Sequence, residues 1–173
     1  MHADLDGDCV WEAGEQRLAG VVIRLLDSSG REVAVTQTNA EGIYRFRDLA
    51  PGTYTLVQDQ PDGYFDQSAK PGSAGGVSGV NRIEAIGLGS GVDGVDYDFC
   101  EQPPSSLSGR VHADLDGDCV LDPGEQPLAG VVIRLYDSDG RPVAITQTDA
   151  DGKYRFDGLV AGEYSVVQEQ PGG

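Results

Sequence analysis

"AGVVIRLYDSDGRPVAITQTDADGKYRF" occupies residues 129–156. Its first part, "AGVVIRLYD" (129–137), is rich in β-branched residues that suit a half-buried pleated surface. "SDGR" (138–141) is a turn, and "PVAITQT" (142–148) alternates apolar and polar positions. "DADG" (149–152) turns the chain again, and "KYRF" (153–156) begins another strand. Asp or Asn opening a turn before Gly is ordinary turn chemistry, so "DADG" and its counterpart "NAEG" (39–42) read as turns rather than as further cation sites. "EYSVVQE" (163–169), "NRIEAIGL" (81–88) and "VDYDFCE" (95–101) add short strands. Residues 64–80, "YFDQSAKPGSAGGVSGV", read as a long linker-like loop, Gly/Ser-rich from 70 onward. Six or seven short strands in about 100 residues, separated by turns, predict an all-β, Ig-like β-sandwich. The aromatics of "YRF" and "YDF" alternate with polar residues and read as core-facing.

The same reading applies twice. His2 recurs as His112, a period of 110 residues, and 40 of the 59 positions in 2–60 are identical in 112–170. A repeat this long is a whole small domain. The expected units are residues 1–103 and 104–173, with "EQPPSS" (101–106) as a linker stiffened by its paired prolines. Unit two begins with "SSLSGRV" (105–111), where unit one has only Met1. Unit two stops at the residue that aligns with Gly63. Unit one is therefore expected to lack its first strand and unit two its C-terminal strands, as if both ends were cut within a longer protein.

The charge narrows the partners. Twelve Lys and Arg stand against 29 Asp and Glu, a formal net charge of -17. That surface repels nucleic acid and anionic membranes and suits cations. No stretch is apolar enough to insert in a membrane, and none resembles a signal peptide.

The densest acid lies in "HADLDGDCV", present at 2–10 and again at 112–120. Asp4, Asp6 and Asp8 take positions 1, 3 and 5 of a twelve-residue loop. Val10 is position 7, Glu12 position 9 and Glu15 position 12. Unit two supplies Asp114, Asp116, Asp118, Val120, Asp122 and Glu125. This is the ligand spacing of a calcium loop: side-chain oxygens from 1, 3 and 5, a main-chain carbonyl from 7, a direct or water-mediated ligand at 9, and a final Glu offering both oxygens. Carboxylates this close repel one another, and Ca2+ relieves the repulsion. It accepts many hard oxygens in irregular geometry, whereas magnesium demands an octahedron and zinc prefers His or Cys. Position 8, Trp11 or Leu121, is apolar and is expected to anchor the loop to the core. Position 6, normally Gly for the sharp turn, is Cys9 or Cys119, and a positive φ there costs roughly 1 kcal/mol. The alternative to a metal site is a solvated acidic turn.

In the order "GRVHADLDGDCVLDPGEQ", "GVVIRL", "TDADGKYRF" and "GEYSVV", the chain resembles the SdrD B-like repeat of Gram-positive surface adhesins, within the wider prealbumin-like and CnaB-like sandwiches. The resemblance covers 2–63 and 109–173 closely and 64–101 loosely. It implies tandem calcium-binding Ig-like sandwiches, secreted or at the cell surface, serving as stiff stalk spacers. The loop carboxylates named above match the family's motif one by one. Departures are His112 for Trp, Asp116 for Asn and Cys119 for Gly. Carboxypeptidase-regulatory-like domains share the "GxYxFxxLxxGxY" pattern but lack the acidic loop. Related CnaB domains often carry a Lys–Asn isopeptide bond. Here the only lysines, Lys70 and Lys153, lie outside the first-strand segment, so none is expected.

Cys9 and Cys119 are one repeat position, and Cys100 has no second copy within the chain. A complete unit would hold two cysteines, which suits an oxidising, secreted setting. In a stalk module the first and last strands run parallel. That would bring Cys9 close to Cys100 as a disulfide and leave Cys119 single. The other reading of Cys9 is a small buried thiol.

Nothing points to an enzyme. His2 and His112 are one repeat position and read as packing residues. No Ser or Cys has a distinct His and acid in recognisable order. Two non-catalytic functions remain: a calcium-stiffened spacer, whose partners are neighbouring repeats of the same protein, and an adhesive module gripping extracellular matrix, a glycan or a surface protein. The differences between the two copies are scattered over turns and loops, which favours the spacer.

Overall fold

The computed structural model describes residues 1–169. The chain divides into two compact units, Met1–Pro103 and Pro104–Gly173. Described residues of both units are strands, turns and loops without helix. None offers a helix long and apolar enough to cross a membrane.

Unit one has eight strands: β1 (His2–Ala3), β2 (Val22–Asp27), β3 (Glu32–Gln37), β4 (Gly52–Gln58), β5 (Phe65–Lys70), β6 (Val77–Gly79), β7 (Arg82–Leu88) and β8 (Asp98–Gln102). They form a five-stranded sheet, β3-β2-β4-β7-β6, and a three-stranded sheet, β1-β8-β5. Side chains alternate across each strand, so every second residue of β2 and β4 turns inward. Ile23, Leu25, Tyr54 and Leu56 from these strands meet Ala69 of β5 and Phe99 of β8 in one core. β7 breaks the alternation. Ile83 pairs with Leu56 and Ile86 with Tyr54, one residue more on β7 than on β4. Ala85 absorbs the extra residue at φ 56°. This is a β-bulge, and it sends both isoleucines to the core.

Two sequence expectations need correction here. Residues 64–80 are not a linker loop. They contain β5, which pairs antiparallel with β8, and β6, which pairs with β7. "FDQSAK" is mostly polar because β5 is a sheet edge with only Ala69 fully buried. The last strand is also shorter than "VDYDFCE" suggests: Val95–Tyr97 are outside it, and it begins at Asp98.

Unit two has β9 (Ser105–Arg110), β10 (Val132–Asp137), β11 (Pro142–Gln147), β12 (Lys153–Leu159) and β13 (Tyr164–Gln168). The sheets are β11-β10-β13 and β12-β9. Its core is smaller, built on Val111, Val131, Ile133, Leu135, Phe156 and Leu159. "KYRF" is part of β12 because β9 pairs with it, Lys153 opposite Arg110 and Phe156 opposite Leu107. The equivalent "IYRF" (43–46) of unit one has no such neighbour and forms no strand.

Candidate metal-binding loops

In unit one β1 runs parallel to β8, His2 opposite Cys100 and Ala3 opposite Glu101. The main-chain N–H of Asp4 then donates to the carbonyl of Glu101 at 2.8 Å. The acidic loop therefore leaves the sheet at Asp4, which is only 1% exposed. The carboxylates of Asp4, Asp6 and Asp8 each accept from main-chain amides further along. Asp4 Oδ1 accepts from Gly7 at 2.8 Å and Oδ2 from Cys9 at 2.9 Å, while Asp8 Oδ1 accepts from Val10 at 2.7 Å. Burial alone would raise the Asp4 carboxyl, but the amides of Gly7, Cys9 and Asp6 outweigh it and hold it below the ordinary range. The amides of Gly117 and Cys119 similarly hold the Asp114 carboxyl low. Both are anionic at neutral pH, the form a cation needs.

The same geometry occurs in both units. Asp4, Asp6 and Asp8 bring carboxylate oxygens within 4.8 Å of one another, and so do Asp114, Asp116 and Asp118. Calcium lies about 2.3–2.6 Å from each ligand oxygen, so ligands of one ion are separated by no more than about 5 Å. The donor set is all hard oxygen, and the spacing fits that ion. Position 6 keeps the left-handed turn without glycine: φ is 55° at Cys9 and 62° at Cys119.

The remaining expected ligands lie outside these triads. Glu12 and Asp122 are exposed. Glu15 is buried, and both its oxygens are engaged: Oε1 accepts from the Leu5 amide at 2.9 Å and Oε2 from the Glu12 amide at 3.0 Å. Glu125 repeats this with Leu115 and Asp122. The position-12 glutamate therefore closes the loop by bracing its two ends. The main-chain carbonyls of Val10 and Val120 stand at position 7, next to the anchored position 5 side chains. His2 and His112 are packing residues, each with Nε2 3.6 Å from the position-12 carboxylate. His2, Asp4 and Cys100 also converge, but the Cys100 sulfur is bonded to Cys9 and is not a free ligand.

Position 8 departs from expectation. Trp11 is 44% exposed rather than sunk in the core. Its indole N–H donates to the Glu15 carbonyl at 3.3 Å, and the Arg17 guanidinium lies 3.8 Å from the ring centroid. The tryptophan covers the outside of the loop, while β1 and Cys9 supply its anchorage.

One buried acid escaped the sequence reading. Glu101 of β8 is wholly buried, and the side-chain amides of Gln58 and Gln60 both donate to its carboxylate. Burial raises its pKa, and the two glutamines offset this only in part. Gln58 belongs to β4 and Glu101 to β8, so the contact bridges the two sheets of unit one. The recurrence of "VVQEQP" for "LVQDQP" was the available signal, since both glutamines are kept in each copy.

The SdrD B-like domain family model matches residues 1–95 and 105–173. Serine-aspartate repeat-containing protein F of Staphylococcus epidermidis is 34% identical over 178 residues, covering 96% of this chain and 11% of that protein. Serine-aspartate repeat-containing protein C of Staphylococcus aureus is likewise 34% identical, covering 96% of this chain and 19% of that protein. The chain thus spans a fifth or less of the length of these relatives. Among solved structures, the Bacillus anthracis TIE protein aligns with a TM-score of 0.39 at 19% identity, over 92% of this chain and 27% of that one. The shaft pilin SpaA from Lactobacillus rhamnosus GG aligns at 0.37 and 14% identity, over 96% and 83%. With the family's motifs in order in both units and its model matched across both, the chain belongs to the SdrD B-like domain family.

Proposed function

We propose that the chain is a pair of calcium-stiffened spacer modules of a secreted or cell-surface repeat protein, with neighbouring repeats as its partners. The observation that carries the calcium reading is the duplicated triad: in each unit three carboxylates come within one cation's reach, and the first of them, Asp4 or Asp114, is held anionic by main-chain amides. Without an ion these charges repel, opposed by the amide contacts within each loop and, in unit one, by the Cys9–Cys100 disulfide. With Ca2+ the repulsion becomes attraction, and the loop is fixed to the strand that precedes it. Asp4, Asp6 and Asp8 would hold one ion, with Asp114, Asp116 and Asp118 holding the other. Val10, Glu12, Val120 and Asp122 would complete the shells, and Glu15 and Glu125 would brace them.

The spacer reading is supported by family membership, by the repetition of one module and by the absence of any non-repeated constellation of catalytic type in the sequence. Ligand linkage stabilises a folded site by about 2.7 kcal/mol when free calcium is one hundred times the dissociation constant. Thermal melts in calcium and in chelator test the reading. Higher melting of both units in calcium is expected, and superimposable melts would refute it.

A further inference from the structure

His2, Asp4 and Cys100 converge where β1 and the acidic loop meet β8, and all three are buried. A ring nitrogen of His2, a carboxylate oxygen of Asp4 and the Cys100 sulfur lie within 4.8 Å of one another. Cys9, also buried, is one S–S bond further on. The His2 side chain is only 4% exposed, and its Nε2 has no hydrogen-bond partner. Buried polar atoms are rarely left unpaired, and imidazole is the commonest metal ligand among side chains. The Glu15 carboxylate stands 3.6 Å from Nε2, too far for a hydrogen bond but placed to orient the ring. His112 stands at the same 3.6 Å from Glu125, with its Nε2 equally unpartnered. The ring position is therefore a property of the repeat, and β8 brings the sulfurs to it in unit one.

This donor set differs in kind from the carboxylate triad. Thiolate and imidazole suit zinc, whereas calcium takes hard oxygens. Two Cys, one His and one Asp are enough for a tetrahedral shell. Zinc–sulfur bonds of about 2.3 Å place two sulfurs about 3.8 Å apart. From a disulfide separation of about 2.0 Å, each sulfur would move by roughly 1 Å.

We propose that unit one contains a redox-gated site for zinc, formed by Cys9, Cys100, His2 and Asp4 once the disulfide is reduced. An external dithiol supplies two electrons to the S–S bond, passes its two protons to the cysteine sulfurs and becomes a disulfide itself. Zn2+ then displaces both protons to solvent and is held by the two thiolates. A ring nitrogen of neutral His2 and an oxygen of anionic Asp4 complete the shell. The ion fastens the loop to β8 where the disulfide did, so one cross-link replaces another. Asp4 also belongs to the calcium triad, but the sulfur ligands give this site a readout of its own, whatever the outcome for calcium.

The test uses the full chain with Cys119→Ser, so that the exposed thiol takes no part. The protein is reduced with a dithiol, freed of it under inert gas, and titrated with Co2+ and then Zn2+ in calcium-free buffer. Thiolate-to-cobalt charge-transfer absorption and the visible bands of tetrahedral cobalt should appear, saturate at a single ion per chain and vanish on adding equimolar Zn2+. The oxidised chain should show neither. His2→Gln in the same background should bind cobalt at least about ten-fold more weakly. Two measurements need no further substitution: Zn2+ should raise the melting of the reduced chain followed at Trp11, and slow alkylation of Cys9 and Cys100 by at least about ten-fold. No thiolate absorption in the reduced chain, the same spectrum in the oxidised chain, or undiminished affinity in His2→Gln would overturn the proposal. So would melting and alkylation that zinc leaves unchanged.

Discussion

Cys9 and Cys100, 91 residues apart, are joined by a disulfide with their Cα atoms 5.6 Å from each other. The bond fastens position 6 of the acidic loop to β8, the last strand of unit one. The two copies differ at this place: Asp4 is buried beside β8 in unit one, whereas in unit two, whose described strands include no counterpart of β8, Asp114 is exposed and Cys119 is an exposed free thiol. The cysteine in the loop thus accepts the left-handed turn and closes the sandwich at once.

Reduction should therefore weaken unit one and leave unit two unchanged. A loop of this length contributes about 4–5 kcal/mol in the chain-entropy description. Melts with and without reductant, followed at Trp11 for unit one, check this. Native alkylation should label one thiol per chain, Cys119, and labelling of all three would contradict the pairing.

Glu101 should make unit one less stable as pH rises. Its folded pKa is raised by burial, so the native state binds the proton more tightly than the unfolded chain does. That contribution is fully present below the ordinary glutamate value of about 4.3 and is lost as pH climbs through the raised value. Glu101→Gln should flatten this part of the stability–pH curve and match or exceed the parent at neutral pH. Denaturant melts from acid to neutral pH measure it, and an unchanged slope in the variant would assign the dependence to another group.

Gly109→Val should destabilise unit two by about 1–3 kcal/mol, the usual cost of overpacking. The added side chain meets the Tyr154 ring, which packs edge-on against Phe156 at the unit-two core. Tyr154→Ala should relieve the collision in the double variant. If the single variant melted like the parent, the ring would not lie where β9 and β12 place it.

Residues 129–156 were legible as strands and turns because their alternation is set by one buried face and one exposed face. Cys9 and Cys119 were legible as turn residues because the loop spacing demands a positive φ at position 6. β5 was not legible, since a polar edge strand carries no alternation. "IYRF" and "KYRF" show why local pattern is insufficient: near-identical segments become a strand only where β9 is present to pair. The burial of Glu101 depends on Gln58 and Gln60 arriving from the opposite sheet, which no local window contains. Trp11 was expected in the core because it is apolar, yet its indole N–H and its stacking with Arg17 hold it at the surface.

The most direct measurement is calorimetric titration of calcium into the full chain and into the Asp6→Asn and Asp116→Asn variants. Each variant removes one carboxylate charge from one triad and leaves the amide bracing by Glu15 and Glu125 in place. Extracellular modules of this kind bind at roughly 0.1–1 mM, so protein at comparable concentration is required. Two sites are predicted for the parent and one retained site for each variant, the unit-two site surviving Asp6→Asn and the unit-one site surviving Asp116→Asn. No heat beyond dilution in the parent, or undiminished stoichiometry in both variants, would contradict the calcium-stiffened account.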